Sequence, residues 1–396
     1  MRILLAAASF ASKMSGLQRH VLNVARCLLL EPEISTLHLV FAPWQRHFMQ
    51  DPDFCSDPRL VTHVAKMDKS SLSRNLWYYR ELPELAARLE VDLVHFSYPM
   101  PVNATRFSCP TMVTLHDLYP YEIPMNFGFP KFIFNRIVLR QCLRKVDAVA
   151  CVSDTTLLRL KQYTPSAIWQ KGVRIYNCVE AEPVCGTETS IQGWQGERFL
   201  LSVAQHRRNK NIPLLIESFH RLLRAGQIAA NTKLLVIGIE GPETGKIRRM
   251  VSTLGLAGII CFLEGVSESD LQWYYANCEA VVCPSQTEGF GLPIAEALLA
   301  GCRVVCSDIP AFREVGDGHC RFVPLGRNAE DVLAAAIVAA LHDPKGSRKT
   351  LQQFSAPVLA KQYTSLYRRL ITSPHPARNA RVAASINAAA SERLPL

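Results

Sequence analysis

The segment with the clearest chemical potential combines two carboxylates with a glycine turn. Residues 284–297 read Pro-Ser-Gln-Thr-Glu-Gly-Phe-Gly-Leu-Pro-Ile-Ala-Glu-Ala, with seven residues between Glu288 and Glu296. A carboxylate can accept hydrogen bonds from two neighbouring hydroxyls, which suits the edge of a hexose or the diol of a ribose. The alternative is that Glu296 is an ordinary acid of a first helical turn and that Glu288 is a surface residue.

The turn itself has the features of an anion-binding site. Gly289 and Gly291 flank Phe290, and Leu292 and Pro293 then begin a predicted helix. Proline is favoured at the start of a helix, and glycine lets the backbone approach a phosphate closely. Because free N–H groups and the positive end of the helix dipole lie at a helix N-terminus, the segment predicts binding of a negatively charged group.

A basic loop lies earlier in the same half of the chain. Arg207, Arg208 and Lys210 follow an apolar run at 199–203 that is typical of a strand. Ligands of parallel α/β sheets bind beyond the carboxyl ends of the strands, so these cations would face a cleft. Fixed cations aimed at developing negative charge are among the larger catalytic effects. The alternative is a solvated basic loop.

The first half contributes a histidine–aspartate pair and a glycine. His116 and Asp117 follow the apolar run 112–115, which places them at the carboxyl edge of a predicted strand, and Gly16 follows the first predicted strand and opens a helix. The alternatives are that His116 is a satisfied edge histidine and that Asp117 caps a helix. Gly16 alone is weak evidence, since most doubly wound domains have a glycine at this place.

Short apolar runs alternate with amphipathic segments along the whole chain. This alternation favours parallel sheets covered by helices on both faces. The predicted fold class is therefore α/β, with two Rossmann-like doubly wound domains that face each other across a ligand-binding cleft. The strands are predicted at 3–8, 37–41, 93–96, 112–115, 148–152, 199–203, 233–237, 259–262, 280–283 and 303–306.

A change of composition marks the boundary between the predicted domains. Residues 180–197 are rich in Gly, Pro and polar side chains, which is typical of a linker. We therefore predict an N-terminal domain at 1–185, a linker at 186–197 and a C-terminal domain at 198–358. A closing helix at 359–372 and a loose tail at 373–396 complete the chain.

Composition narrows the class of protein. The 396 residues are 48% hydrophobic and 20% charged, which is typical of a soluble globular protein and excludes a disordered chain. The net charge of +10 comes with no dedicated basic domain, so binding of nucleic acid is not expected. The 13 cysteines include no C-x-x-C pair and lie in apolar runs. We interpret them as buried thiols of a reducing compartment.

The sequence predicts no membrane-spanning helix but one candidate surface for membrane contact. No apolar run reaches the roughly 18 residues of a transmembrane helix, and the short apolar stretch at the start fits a strand better than a signal peptide. We expect a cytoplasmic protein. Arg136, Arg140 and Arg144 would share one face of a predicted helix at 131–146. Such a stripe could contact anionic lipid at the inner face of the cell membrane; the alternative is the solvated face of a packed helix.

Together these motifs resemble the retaining GT-B glycosyltransferases of group 1, family 4. Glu288 and Glu296 with Gly-Phe-Gly-Leu-Pro between them look like the family signature, and the residues on both sides, 281–285 and 300–310, are similar to its flanking strands. Lys210 followed by Asn211 fits the cationic loop of the family. The resemblance extends over nearly the whole chain, and the segment His-Asp-Leu at 116–118 is similar to mannosyltransferase-like members.

The resemblance implies catalytic roles for four side chains. Glu288 would contact the transferred hexose, and His116 would lie close to the reacting sugar carbon. Lys210 would neutralise the leaving diphosphate in place of a metal ion, with help from Arg208 or Arg207, because the family usually has an Arg as well as a Lys in this loop.

The resemblance also implies a donor-binding set. Glu296 would bind the ribose of the nucleotide, and Gly16 would belong to a loop that faces the donor phosphate and the acceptor. Arg207 would bind the diphosphate. The remaining positions are the backbone amides of the turn and helix start: Gly289, Phe290, Gly291 and Leu292.

The activity implied by the resemblance is transfer of a hexose from a nucleotide-diphosphate sugar to a glycan or lipid-linked acceptor, with retention of configuration and without a metal ion. By family association the product would be a bacterial surface polysaccharide such as lipopolysaccharide. GDP-mannose is favoured over a UDP-sugar as the donor. Two alternatives use the same architecture: a nucleotide-sugar epimerase, which needs no acceptor, and a non-catalytic nucleotide-sugar-binding module.

Overall fold

The computed structural model describes residues 1–12, 15–49, 56–180, 196–344, 346–347 and 349–373. Within them the chain forms two parallel β-sheets. Most of the predicted linker and the tail from residue 374 onward lie outside the described residues.

The first sheet has seven strands in the order β3-β2-β1-β4-β5-β6-β7, and every neighbouring pair is parallel. Alternate residues of β1 enter two different cores: Ile3 and Leu5 pack on one face, and Leu4 and Ala6 on the other. The strands are β1 (Arg2–Ala6), β2 (Thr36–Phe41), β3 (Leu60–Val64), β4 (Leu93–Phe96), β5 (Thr111–Leu115), β6 (Ala148–Cys151) and β7 (Gly172–Arg174).

The second sheet has six parallel strands in the order β10-β9-β8-β11-β12-β13. Hydrophobic side chains again cover both faces, in two clusters. The strands are β8 (Phe199–Val203), β9 (Lys233–Ile237), β10 (Ile260–Leu263), β11 (Ala280–Cys283), β12 (Val304–Ser307) and β13 (Arg321–Val323).

Helices connect the strands of each sheet. In the first half they are α1 (Gly16–Leu29), α2 (Ser71–Leu76), α3 (Leu82–Arg88), α4 (Tyr119–Glu122), α5 (Lys131–Lys145), α6 (Asp154–Tyr163) and α7 (Ser166–Trp169). In the second half they are α8 (Ile212–Arg224), α9 (Thr244–Thr253), α10 (Glu268–Asn277), α11 (Leu292–Leu299), α12 (Pro310–Gly316) and α13 (Ala329–His342). The helix α14 (Ala356–Thr372) is the last one that the described residues form.

All ten predicted strands are present with ends within two residues of the prediction. Three strands were not predicted, and each lies at an edge of its sheet: β3, β7 and β13. An edge strand packs against one neighbour, so its sequence is less apolar. Val61 and Val64 of β3 are exposed, and the other two strands have three residues each.

The last helix returns to the first half of the chain. Leu359, Tyr363 and Tyr367 of α14 are buried in the core that covers the first sheet, where α14 packs against α1. The Tyr367 hydroxyl lies 2.7 Å from Nδ1 of the buried His95 on β4. The helix begins three residues before the predicted closing helix.

The cysteines are mostly core residues, as predicted. Cys151, Cys283 and Cys306 are buried in strands, whereas Cys261 and Cys302 are half-buried rather than buried. Among the helices of the described ranges, none combines the length and the hydrophobicity that a membrane span requires.

Candidate active site

Lys210 and Glu288 form an ion pair between two loops of the second half. The Lys210 ammonium lies 2.5 Å from Oε1 of Glu288, and the side chains are only 18% and 9% exposed. From the first half, the buried Tyr119 hydroxyl donates to the other carboxylate oxygen, Oε2, at 3.1 Å. A charge-assisted bond and a tyrosine hydroxyl therefore hold both oxygens of this carboxylate.

The loop that carries Lys210 is fixed by its neighbour Asn209. The backbone turns after β8 through a short 3₁₀ segment, Arg208–Lys210. The Asn209 side chain is fully buried; its amide donates to the Tyr119 hydroxyl at 3.3 Å, and its oxygen accepts from the amide of Asn126 at 3.0 Å. Buried polar groups need such partners. The loop is thus anchored to both halves of the protein.

The two arginines of the basic loop have different surroundings. Arg208 is exposed, whereas Arg207 is half-buried. The charge of Arg207 favours ionisation of Asp117 and Tyr119, although burial outweighs it and raises the pKa of both groups, that of Asp117 to about 6. The positive charge of Arg207 therefore acts on Asp117 and Tyr119, which belong to the first half of the chain.

His116 lies at the end of β5, as predicted, and is held by the backbone. Its Nε2 is 2.9 Å from the carbonyl oxygen of Ser97, and its ring packs edge-on against His20 with centroids 4.5 Å apart. Burial lowers the pKa of His116 to about 4, so the ring is neutral near pH 7. A carbonyl oxygen can only accept, so Nε2 carries the proton and Nδ1 is an acceptor.

Asp117 lies just before the short helix α4, whose N-cap residue is Leu118, and its side chain forms a turn with the first helical residue instead of the helix cap that the sequence left open as an alternative. Its Oδ1 accepts from the backbone N–H of Tyr119 at 3.0 Å. This bond fixes the backbone of Tyr119, whose hydroxyl reaches Glu288.

The glycine turn approaches the first half at Gly289. A Cβ atom there would lie 1.7 Å from the carbonyl oxygen of His116, which no side chain can occupy. The carbonyl oxygen of Gly289 accepts from the hydroxyls of Ser153 and Thr156, the latter at 3.0 Å. Absence of a side chain at residue 289 is therefore a condition for contact between the two halves.

The rest of the turn prepares the start of α11. Gly291 has φ +112°, a left-handed conformation that favours glycine, and it precedes the first helical residue, Leu292. The Phe290 side chain is buried against Phe354, so only its backbone is available to a ligand. A Cβ on Gly16 would lie 3.6 Å from Leu292 Cδ1, which places the starts of α1 and α11 side by side.

Glu296 lies one turn into α11 and is also held from both halves. Tyr275 donates to its Oε2 at 2.7 Å, and Arg19 of α1 lies 3.1 Å from its Oε1. Arg19 pairs with Glu268 as well, at 2.7 Å. Burial lowers the pKa of Arg19, but the two carboxylates outweigh this effect and raise it.

The predicted basic stripe on helix 131–146 is only partly correct. Arg140 and Arg144 are exposed. Arg136 turns inward instead: its Nε donates to the carbonyl oxygen of Pro120 at 2.6 Å, and its guanidinium lies over the ring of Tyr121. The carbonyl groups of α4 attract this arginine away from the solvent face.

Five residues of the site were not predicted as members of it. Their signals in the sequence are weak: Tyr119 follows the histidine–aspartate pair, Asn209 precedes Lys210, and Arg19 comes one turn after Gly16. Asn126 and Tyr275 stand in segments without a motif. The partners of all five became evident only from contacts across the cleft or between neighbouring loops.

Two parallel α/β units that bring paired carboxylates, a lysine and a glycine turn together at a cleft define a GT-B glycosyltransferase. Comparison with known proteins agrees. The family model "Glycosyltransferase Family 4" matches residues 14–182, and the model "Glycosyl transferases group 1" matches residues 188–356. The chain belongs to this glycosyltransferase family and is an enzyme of that class rather than an epimerase or a binding module.

Among its relatives is the O-antigen chain mannosyltransferase RfbU of Salmonella typhimurium, 28% identical over 65% of this chain and 68% of the relative. The O-antigen chain mannosyltransferase B of Escherichia coli is 24% identical over 87% of this chain and 91% of the relative. Among solved structures, WaaG, a glycosyltransferase involved in lipopolysaccharide biosynthesis, superimposes with a TM-score of 0.63 at 16% identity, over 94% of this chain and all of that one. This last likeness concerns the fold.

Proposed function

We propose that this enzyme transfers mannose from GDP-mannose to a glycan or lipid-linked acceptor during synthesis of a bacterial surface polysaccharide. The observation that carries the proposal is the Lys210–Glu288 pair at 2.5 Å, with Tyr119 of the opposite half on the second carboxylate oxygen. The choice of sugar rests on the two relatives named as O-antigen chain mannosyltransferases.

Glu288 and His116 bind the sugar in this proposal. The Glu288 carboxylate keeps lone pairs free for hexose hydroxyls after Lys210 and Tyr119 have taken one each. The neutral His116 ring offers Nδ1 as an acceptor, since Nε2 is bound to the carbonyl of Ser97. The sugar is thereby oriented next to the glycine turn, and such orientation lowers the barrier without any covalent step on the protein.

Cations and backbone dipoles stabilise the leaving diphosphate. Lys210 and Arg207 supply fixed positive charge. The start of α11 adds the backbone N–H of Leu292 and the positive end of the helix dipole, whereas Pro293 has no N–H and the Ile294 N–H donates to the carbonyl oxygen of Gly291. These groups take the place of a metal ion. Attack and departure occur on the same face of the sugar, so the product keeps the anomeric configuration of the donor.

The first test measures binding and transfer separately. Donor binding stabilises the folded protein by about 2.7 kcal/mol at a concentration of 100 Kd, so GDP-mannose without added metal should raise Tm by several degrees and UDP-sugars should not. Glu296→Ala should abolish that shift. If only UDP-sugars raised Tm, the nucleotide of the donor would be UDP rather than GDP. If no donor raised Tm, the proposal would be overturned.

The second test concerns turnover. Lys210→Ala and Glu288→Gln should each lower transfer of radiolabelled mannose to bacterial membrane glycolipid by at least about 100-fold, because each removes a contact with the reacting groups. Lys246→Ala is the matched control, since Lys246 is an exposed lysine that pairs only weakly, at 4.0 Å from Glu243. Near-normal turnover in both test variants would contradict the assignment. NMR of the product tests retention, and assay in EDTA tests independence of metal.

We also propose that α5 and the loop before it contact the inner face of the membrane. Arg140, Arg144 and Lys145 are exposed beside an unusual set of exposed apolar side chains. Phe129 is 82% exposed and Phe134 63%, and Met125, Ile133 and Ile137 add to the same surface. Rings of this kind enter the interface of a bilayer while basic residues bind anionic headgroups.

The position of this surface supports delivery of a lipid-linked acceptor. Asn126, next to the exposed Met125, bonds to Asn209 beside Lys210, and Arg136 of α5 bonds to Pro120 beside Tyr119. The surface is thus continuous with the cleft.

Co-sedimentation with vesicles of phosphatidylglycerol tests the membrane contact. Burial of one phenylalanine contributes about 1.5–3 kcal/mol, so Phe129→Ser with Phe134→Ser should weaken binding at least about 30-fold. Leu72→Ser is the control, because Leu72 is 79% exposed and belongs to α2, which is not one of the elements proposed to contact the membrane. Equal loss in test and control variants, or no binding by the unaltered protein, would contradict the proposal.

A further inference from the structure

Arg19 links the two halves of the enzyme at the carboxylate proposed to bind ribose. It lies in the first turn of α1, in the first half. Its Nη1 is 3.1 Å from Oε1 of Glu296 and its Nη2 is 2.7 Å from Oε2 of Glu268, both in the second half. One planar guanidinium therefore spans two carboxylates on neighbouring helices, a geometry that a lysine ammonium cannot reproduce.

The second oxygen of Glu296 is held independently. The Tyr275 hydroxyl donates to Oε2 at 2.7 Å from a buried position on α10. Two donors at different oxygens fix both the position of the carboxylate and its rotation. An ionised carboxylate has about four lone-pair sites, so two remain for the 2′- and 3′-hydroxyls of a ribose while both protein contacts persist.

We propose that Arg19 is a positioning residue for ribose recognition, supplied to the nucleotide-binding half by the opposite half. The inference rests on the proposed role of Glu296. It adds that the ribose site is complete only when the starts of α1 and α11 are side by side, as Gly16 and Leu292 are in this structure. Closure of the cleft and binding of the nucleotide are coupled through this contact.

A general bridge between the halves has a different signature from a positioning residue. A bridge stabilises the closed arrangement for every ligand in the cleft to the same degree. A positioning residue strengthens only the hydrogen bonds that the ribose hydroxyls donate to Glu296, so it affects ligands that carry those hydroxyls more than ligands that lack them. The discriminating quantity is therefore the ratio of Kd values of a nucleoside diphosphate without ribose hydroxyls and the same nucleotide with them.

Titration calorimetry with GDP and 2′,3′-dideoxy-GDP measures this ratio in the full chain, with UDP and 2′,3′-dideoxy-UDP run in parallel. Hydrogen bonds to a charged group contribute enough for a ratio of roughly 10–100 in the unaltered enzyme. Arg19→Ala should lower the ratio about tenfold, with the dideoxy ligand bound within about threefold of normal. Arg19→Lys should give an intermediate ratio, because the charge remains and the planar fork is lost.

Arg26→Ala is the matched control. Arg26 stands two turns further along α1, its Nη1 donates to Oδ1 of Asn23 at 3.4 Å, and its charge also favours ionisation of Glu268, so this variant separates the loss of a nearby positive charge from the loss of the Arg19–Glu296 contact. It should keep the ratio of the unaltered enzyme. Thermal melting shows whether each variant is folded. If Arg19→Ala does not fold, Arg19→Lys tests the inference.

Three results would overturn the inference. They are an unchanged ratio in Arg19→Ala, an equal loss of affinity for both ligands, and tighter binding of GDP, which would mean that Arg19 competes with ribose. Failure of the proposed function is distinguishable: the unaltered enzyme would then bind neither GDP nor UDP, or would bind the dideoxy ligands equally well. If the enzyme bound only UDP and its dideoxy analogue, the donor nucleotide would be UDP, and the ratio of the Kd values of these two ligands in Arg19→Ala would decide the inference.

Discussion

Replacement of Gly289 by alanine separates the contribution of the cleft contact from that of the motif side chains. The new Cβ would lie 1.7 Å from the carbonyl oxygen of His116, whereas nonbonded heavy atoms sit at roughly 3.5–4 Å. The two backbones must therefore move apart by about 2 Å. Displacement by 1 Å in an active site can cost about 100-fold in rate. We expect Gly289→Ala to lower kcat at least about 100-fold with every polar side chain of the site in place.

A loss of stability should not account for this loss of kcat. Overpacking costs about 1–3 kcal/mol, and separation of the halves relieves part of it, so Tm should fall by a few degrees at most. Gly245→Ala is the control: it lies in helix α9, where a Cβ meets nothing within 4 Å, and alanine is the better helix former. Turnover of Gly289→Ala within threefold of the unaltered enzyme, assayed by mannose transfer at saturating donor, would show that close approach of Gly289 to His116 is not required for catalysis.

Four further variants probe the same cleft. Tyr119→Phe removes the hydroxyl that donates to Glu288 and should lower kcat about tenfold, while unchanged kcat would remove Tyr119 from the site. Arg207→Ala should raise the donor KM at least about tenfold and Arg208→Ala less than threefold, because Arg208 is exposed; the reverse order in initial-rate kinetics would exchange their roles. Burial raises the pKa of Asp117 to about 6 from an ordinary value of 3.8, so its ionisation destabilises the fold increasingly from about pH 4 and fully above pH 6. Asp117→Asn should match the unaltered protein near pH 4 and gain about 1–3 kcal/mol in free energy of unfolding at pH 8; an equal difference at both pH values in urea melts would contradict this.

The apolar strands could be predicted from the sequence because of how they are buried. A central strand of a parallel sheet is covered on both faces, so its sequence is a short apolar run that ends where burial ends. Strands β4, β8, β9 and β11 match their predicted bounds for this reason. The edge strand β3 escaped prediction because half of its surface is open, as Val61 and Val64 show.

The motif residues could also be predicted from the sequence. Glu288, Glu296 and Lys210 stand in short segments whose residue types and spacing suffice to indicate hydroxyl and phosphate binding. The basic helix was predicted less well: helical periodicity placed Arg136 on the solvent face, but bonding to the carbonyl of Pro120 turned it inward.

The sequence alone therefore determined the class of fold, the strand-end loops and the carboxylates of the family signature, since each is encoded by residues a few positions apart. The tertiary structure decided what holds those carboxylates. Tyr119 and Glu288 are 169 residues apart in the chain, and Arg19 and Glu296 are 277 apart. Local periodicity carries no information about such pairs. They form only because packing of two separate open sheets brings the carboxyl ends of their strands to opposite sides of one cleft.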